Sequence, residues 1–303
     1  RRAAANHRMV PSANWTKNKI MTTTAIEQKK KPNVVIIRPS KGWVGLRLGD
    51  LWAYRELIYF LTWRDIKVRY KQSVLGILWA ILKPFMAMVV FTIFFGNFAK
   101  IPSDGIPYPI FSYTATLPWE LFAASLSVAS RSMVSNSNMI SKIYFPRMIV
   151  PLASVMSSVV DFLIGFTILI GMMIYYKFTP TIAILWLPLL ILLALITALG
   201  VGLWSSALMV RYRDVGYIMP FVSNLWMYLT PVVYSSSMIP EKWRLIYSLN
   251  PMTGVVEGFR YALLGTARSG SVMMILVSSV IAVLILVTGM FYFRRMEKQF
   301  ADM

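Results

Sequence analysis

Six stretches of the chain are apolar and nearly free of charge over about twenty residues or more: 74–96, 110–130, 148–176, 182–210, 217–234 and 271–293. Roughly 20 apolar residues in a helix cross the ~30 Å hydrocarbon core of a bilayer, so each stretch predicts a transmembrane helix. The stretch 182–210 contains no charged residue at all. The second is interrupted by Pro118 and Glu120, and the fifth is bent at Pro231. The pattern predicts an all-α polytopic membrane protein with six transmembrane helices.

A different periodicity precedes the first span. Over 50–72, Leu51, Tyr54, Ile58, Leu61 and Val68 recur near one helical stripe, with Arg55, Glu56, Arg64, Lys67 and Lys71 around the rest. This predicts an amphipathic helix with Asp50 as N-cap and an i,i+4 pair between Asp65 and Arg69. Directly before a span, such a helix belongs in the membrane interface; a solvated helix of a small soluble domain is the alternative. Between the fifth and sixth spans, 235–270 is too long for a turn. Its apolar pieces, 245–249 and 254–264, are broken by Asn250-Pro251 and too short to cross, which predicts re-entrant or interfacial external half-helices.

Composition agrees with the pattern. The 303 residues are 57% hydrophobic and only 14% charged, well below the quarter or so charged in soluble domains. There is no cysteine, and the one histidine is His7, so thiol chemistry, disulfides and histidine-ligated metals are excluded. Residues 1–20 read as an expression-derived or upstream-translated extension ahead of Met21, and 21–49 as a basic cytoplasmic arm; no signal-peptide core is expected. The net charge of +19 would suggest nucleic acid in a soluble protein. Here, 24 of the 31 Lys and Arg fall in 1–72, 131–147, 211–216 and 294–303, and six in the alternate loops. That asymmetry predicts cytoplasmic termini, including a tail at 294–303, and removes the argument for nucleic acid.

Candidate chemistry is sparse. Gly265-Thr266-Ala267-Arg268-Ser269-Gly270 approaches a P-loop, but Ser271 and Val272 replace its Lys and Ser/Thr, so ATP requires another subunit. Lys83, Glu120 and Asp161 are ionisable residues within spans. They mark either a polar pathway or an interhelical pair, Lys83 with Asp161 or with Glu120, that fixes packing. Many aromatics cluster near span ends, as an interfacial belt and packing or as a lining on which sugar faces slide. The cytoplasmic loop 131–147 carries Met139, Ile140, Ile143, Tyr144 and Phe145 at an apolar tip followed by Pro146. An exposed tip of that kind calls for a partner; an interfacial turn against lipid is the alternative.

Four motifs in this order resemble one family: Arg69-Tyr70-Lys71-Gln72-Ser73-Val74-Leu75-Gly76, Ser141-Lys142-Ile143-Tyr144-Phe145-Pro146-Arg147, Arg211-Tyr212-Arg213-Asp214 and Tyr247-Ser248-Leu249-Asn250-Pro251-Met252. The chain from about Gly42 onward resembles the membrane subunit of ABC-2 type polysaccharide exporters, which move O-antigen or teichoic-acid polymers. The resemblance implies a transmembrane domain over 74–293, a homodimer, two separate ABC ATPase subunits that bind ATP and Mg, and a lipid-linked polysaccharide substrate at the cytoplasmic (inner) membrane. It implies that 50–72 is an interface helix and that the 235–270 loop is a re-entrant gate. It assigns ATPase coupling to Asn136, Asn138, Met139, Ile140, Lys142, Ile143, Tyr144 and Phe145. It also places Trp79, Phe85, Tyr113, Trp119, Trp226 and Tyr234 along a substrate path lined by the first, second and fifth spans. An ABC-2 exporter of drugs or small lipids is the alternative, and a lipid-carrier glycosyl- or phosphotransferase built on the cluster from Arg211 to Asp214 the remote one.

Overall fold

The computed structural model describes residues 48–71, 76–179, 182–265 and 271–297; among them every regular element is helical. The extension 1–20, nearly all of the arm, most of the P-loop-like stretch, part of the first resemblance motif (72–75) and the tail beyond 297 lie outside the described residues. The interface segment breaks at Tyr54 into α1 (Leu48–Ala53) and α2 (Arg55–Lys71). Asp50 therefore sits inside α1 rather than capping it. The predicted stripe is also narrower than expected. Leu61 is buried, whereas Tyr54 and Val68 are exposed and Trp52, Tyr59, Phe60 and Trp63 crowd the open side.

The first predicted span is α3 (Gly76–Phe91), continued as a π-helix over Thr92–Phe98. The second is α4 (Tyr108–Ser135), 28 residues and about 42 Å long, which runs through Pro118 without breaking. Proline cannot donate to the preceding turn. Around that site Thr114 and Thr116 return their hydroxyls to the carbonyls of Ile110 and Ser112, each at 2.8 Å. Helix α4 packs against α3, α6 (Ile149–Ser157), α7 (Val159–Tyr175), α8 (Leu187–Arg211), α9 (Val215–Tyr228) and α11 (Pro251–Leu264), so it is the axis of the bundle. The short α5 (Ser137–Ile140) lies in the loop that follows α4.

The third stretch, 148–176, is two helices rather than one, α6 and α7, parted at Ser158. The fourth begins as a 3₁₀ turn, Ile182–Trp186, and continues as α8. It crosses the last helix, α12 (Ser271–Met296), backbone to backbone: a Cβ on Gly289 would stand 2.4 Å from the Gly200 carbonyl oxygen. Only glycine permits that approach, the small-residue crossing common between membrane helices.

The fifth stretch departs most from expectation. Helix α9 has 14 residues, about 21 Å, shorter than a hydrocarbon core, because the chain turns at Thr230-Pro231 into a buried segment instead of continuing to 234. A 3₁₀ turn (Ser236–Met238) leads to α10 (Glu241–Tyr247), and α11 follows. The predicted break at Asn250-Pro251 is present: the Asn250 side chain accepts from Met252 N at 3.0 Å and caps α11. Gly265, left-handed at φ 72°, closes that helix. Among the described residues four helical stretches are long and apolar enough to cross a membrane: Gly76–Phe98, Ile149–Tyr175, Ile182–Arg211 and Val272–Met296.

Candidate translocation site

The end of α2 meets α3, α4 and α7 around a cleft of about 250 Å³ lined by Arg69, Tyr70, Trp79, Lys83, Glu120 and Asp161. A second cleft of about 370 Å³ shares Arg69, Lys83 and Asp161, and extends between α4 and α9 past Ser127, Arg131, Ser223 and Asn224. The three ionisable residues expected within spans, Lys83, Glu120 and Asp161, thus converge, joined by the cations Arg69 and Arg131. Lys83 Nζ bonds Glu120 Oε2 at 2.5 Å, which decides its partner in favour of Glu120. Asp161 instead accepts from Arg69 and from the Tyr70 hydroxyl, and Arg69 also donates to Ser157 Oγ at 3.2 Å. The expected Asp65–Arg69 pair does not form: Asp65 takes Arg64, its neighbour, at 2.8 Å. Burial, and then the bond to Asp161, push the Tyr70 phenol up, which keeps it a donor. An unpaired charge inside a membrane costs a few kcal/mol, so pairing makes such groups tolerable while leaving polar surface in the cleft.

The loop after α4 divides its side chains. Ile140 and Phe145, expected to be exposed, are buried with Leu61, Met133, Met148 and Ile149 in a cluster of the protein's own core. Ile143 and Tyr144 remain exposed, at 59% and 78%, beside the exposed Asn138 and Lys142. Met139 is half-buried against the cluster. Asn136 turns inward: its amide donates to Ser132 O and accepts from Arg64. Arg147 closes the loop by donating to Glu297 O at 2.6 Å, at the end of α12.

At the opposite end of the bundle α11 carries Arg260, whose side chain is wholly inside. It donates to Val232 O at 2.9 Å, Tyr234 O at 3.2 Å and Glu257 at 3.0 Å. Asn250 collects Trp226 Nε1 at 2.8 Å and donates to Leu229 O and Thr230 Oγ1, tying the end of α9 to the start of α11. Asp104, in the loop before α4, accepts from Ser235 and Ser237.

The ABC-2 type transporter family matches residues 56–264, from α2 to the end of α11. The chain belongs to this family of transporter membrane domains. It is a multi-pass membrane protein. It is similar to an O-antigen export system permease protein RfbA of Klebsiella pneumoniae, 29% identical over 82% of this chain and 94% of the relative. The RfbA of Myxococcus xanthus is 28% identical over 70% of this chain and 81% of its own. The polysialic acid transport protein KpsM of Escherichia coli is 22% identical over 66% and 78%.

Within this ABC-2 domain the six aromatic candidates separate. Trp79 and Phe85 project from α3, exposed. Tyr113 and Trp119 are buried in the core, so they are packing residues in the single chain: the Tyr113 hydroxyl donates to Gly165 O at 3.0 Å, and Trp119 packs on Phe122. Trp226 is half-buried edge-on to Phe122, and the Tyr234 hydroxyl meets that of Tyr247 and Tyr228 O. Arg211, Arg213 and Asp214 are exposed and line neither cleft. Sequence reasoning passed over Arg260 and gave Arg69 the wrong partner, Asp65. The signal for Arg260 was present, a lone cation inside the apolar run 254–264. For Arg69 the sequence offered only the nearby Asp65, because the partner it takes, Asp161, is 92 residues away.

Proposed function

We propose that the chain is the transmembrane subunit of an ATP-driven exporter that carries a lipid-linked polysaccharide, of the O-antigen or teichoic-acid kind, across the cytoplasmic membrane. Two copies form the permease, and two ABC ATPase subunits bind ATP and Mg and dock on the 136–145 loops. In this reading α3, α4, α6–α7, α8, α9 with its returning segment, and α12 make six crossings, and both termini are cytoplasmic, as the distribution of Lys and Arg favours. Helix α2 lies in the interface with Trp52, Tyr59, Phe60 and Trp63 toward lipid head groups.

The observation that carries the reading is the position of the paired clefts between α3, α4 and α9. Helix α9 buries none of its residues in the single chain, and α3 presents Trp79 and Phe85 openly. Two copies related by an axis along α3 and α9 would cover these faces and join the clefts into one path with aromatic walls and ionic groups. A polymer is conducted best by many weak, repeated contacts, since a strong site becomes a trap. Flat rings supply such contacts for sugars, and the one cation in excess where Arg69, Lys83 and Arg131 face Glu120 and Asp161 suits the phosphate of a lipid carrier. The relatives named for O-antigen export and polysialic acid transport support a polymer over a drug.

The experiment is isolation of the chain from its native membrane with its bound partners, followed by mass spectrometry. An ABC ATPase together with a lipid-linked glycan is the expected result. An ATPase with only small amphiphiles would favour the drug or small-lipid exporter.

A further inference from the structure

Arg64 reaches from α2 to the loop. Its Nη2 donates to Asn136 Oδ1 at 2.7 Å, while Nε and Nη2 hold Asp65 Oδ1 at 3.0 and 2.8 Å. Asn136 stands where α4 ends and α5 begins, and its Nδ2 is committed to Ser132 O at 2.8 Å. The amide is therefore fixed by its own helix and offers α2 its oxygen.

On the other side α2 is pinned to α6 and α7 by polar bonds. Thr62 Oγ1 donates to Ala153 O at 3.3 Å, Ser154 Oγ to Asp65 Oδ2 at 3.4 Å, and Arg69 to Ser157 and Asp161. These attachments fall on both sides of Ser158, where the third apolar stretch is broken and the serine hydroxyl is buried without a partner among the described residues. Leu61 is the one fully buried residue of α2. Directional bonds hold this helix more than an apolar face does. Such bonds exchange when helices shift by an ångström or two, whereas a packed core resists graded movement.

We propose that the Arg64–Asn136 contact is the junction through which displacement of the 136–145 loop passes into α2, and from α2 through Arg69 to Asp161 at the break between α6 and α7. This rests on the reading that the loop meets an ATPase. Arg64 is a positioning residue: it lines neither cleft, and it holds the loop and α2 in one register. Arg69 and Asp161 line both clefts, so a shift of α2 rearranges the ionic groups that face the path. Ile140 and Phe145 also pack with Leu61 of α2, but such apolar contact fixes no register, and a second polar attachment of the loop, Arg147 on Glu297 O at the end of α12, holds its far side.

The test uses the complex of the chain with the ATPase that copurifies with it, in proteoliposomes loaded with its lipid-linked glycan. Export rate, ATP hydrolysed per polymer delivered and melting temperature are measured for R64A, N136A and the double variant. Each single substitution should cut export about tenfold and raise the ATP used per polymer, while the complex stays assembled and its melting temperature stays near that of the parent. The double variant should be no worse than either single one, because one contact can be lost only once. R64K, which keeps the charge, should fall in between. The junction is refuted if R64A and N136A retain export within about twofold, if the two losses multiply, or if export falls only in step with melting temperature. Should the unaltered chain capture no ATPase at all, the reading beneath the proposal fails first and takes the junction with it.

Discussion

The guanidinium carbon of Arg260 lies 3.8 Å from the centre of the Phe111 ring, so the charge on α11 rests against the face of an aromatic on α4. Together with Glu257 and the carbonyls of Val232 and Tyr234, Phe111 makes a fully enclosed charged group tolerable and fastens the segment after α9 to α11. Removing one partner of such a network strands the others in a dry interior at a cost of about 3–5 kcal/mol. R260A should lower the melting temperature in nanodiscs and open the 231–238 segment to limited proteolysis. R260K should behave nearly as badly, because an ammonium cannot reproduce the planar stack and the fork.

The loop after α4 yields a paired prediction. Y144D places a charge on an exposed side chain and should leave the melting temperature unchanged while abolishing capture of the ATPase. F145A empties a site inside the protein's own cluster and should destabilise the fold by about 3–5 kcal/mol. Thermal unfolding and pull-down on the same preparations separate the two; capture of ATPase by Y144D at the parental level would mean that the tip is not the docking point.

Sidedness is directly measurable because the chain has no cysteine. M238C, beyond α9, should react in intact cells with a membrane-impermeant maleimide, since Met238 is 52% exposed. S141C, in the loop after α4, should react only after the membrane is permeabilised. The reverse pattern would invert the topology.

Among the aromatics, W79A and F85A should slow polymer export several-fold with little effect on assembly, whereas W119A should destabilise the bundle by about 3–5 kcal/mol. Y113F should cost about 1 kcal/mol, the net worth of its hydrogen bond to Gly165 O. Export rates and melting curves for the four variants decide between a lining role and a packing role for each ring.

Much of this arrangement was readable along the chain. The uninterrupted runs that became α8 and α12, and the stop at Asn250-Pro251, follow from hydropathy and from the cap that asparagine supplies before proline. The reach of α4 beyond its apolar run was less visible, because the Ser and Thr hydroxyls that serve its backbone lower the hydropathy of the helix they support. The end of α9 was hidden for the opposite reason: Val232 and Val233 are as apolar as a helix interior, but they are buried as an irregular segment held by Arg260. Within the site, the apolar character of 139–145 was plain, yet a linear run cannot say which side chains turn inward. Ile140 and Phe145 do, and Tyr144 does not. Partners distant in sequence, such as Arg69 with Asp161 and Arg64 with Asn136, needed the fold to be seen at all.

The most direct measurement of the account as a whole is transport by the purified complex of the chain and its ATPase in inside-out proteoliposomes, with a radiolabelled lipid-linked glycan in the outer leaflet. On addition of ATP and Mg the glycan should move to the lumen and become resistant to an added glycosidase, and it should stay accessible when a non-hydrolysable ATP analogue is supplied. If the complex hydrolyses ATP while the glycan remains fully accessible, the chain is not the conduit for that polymer.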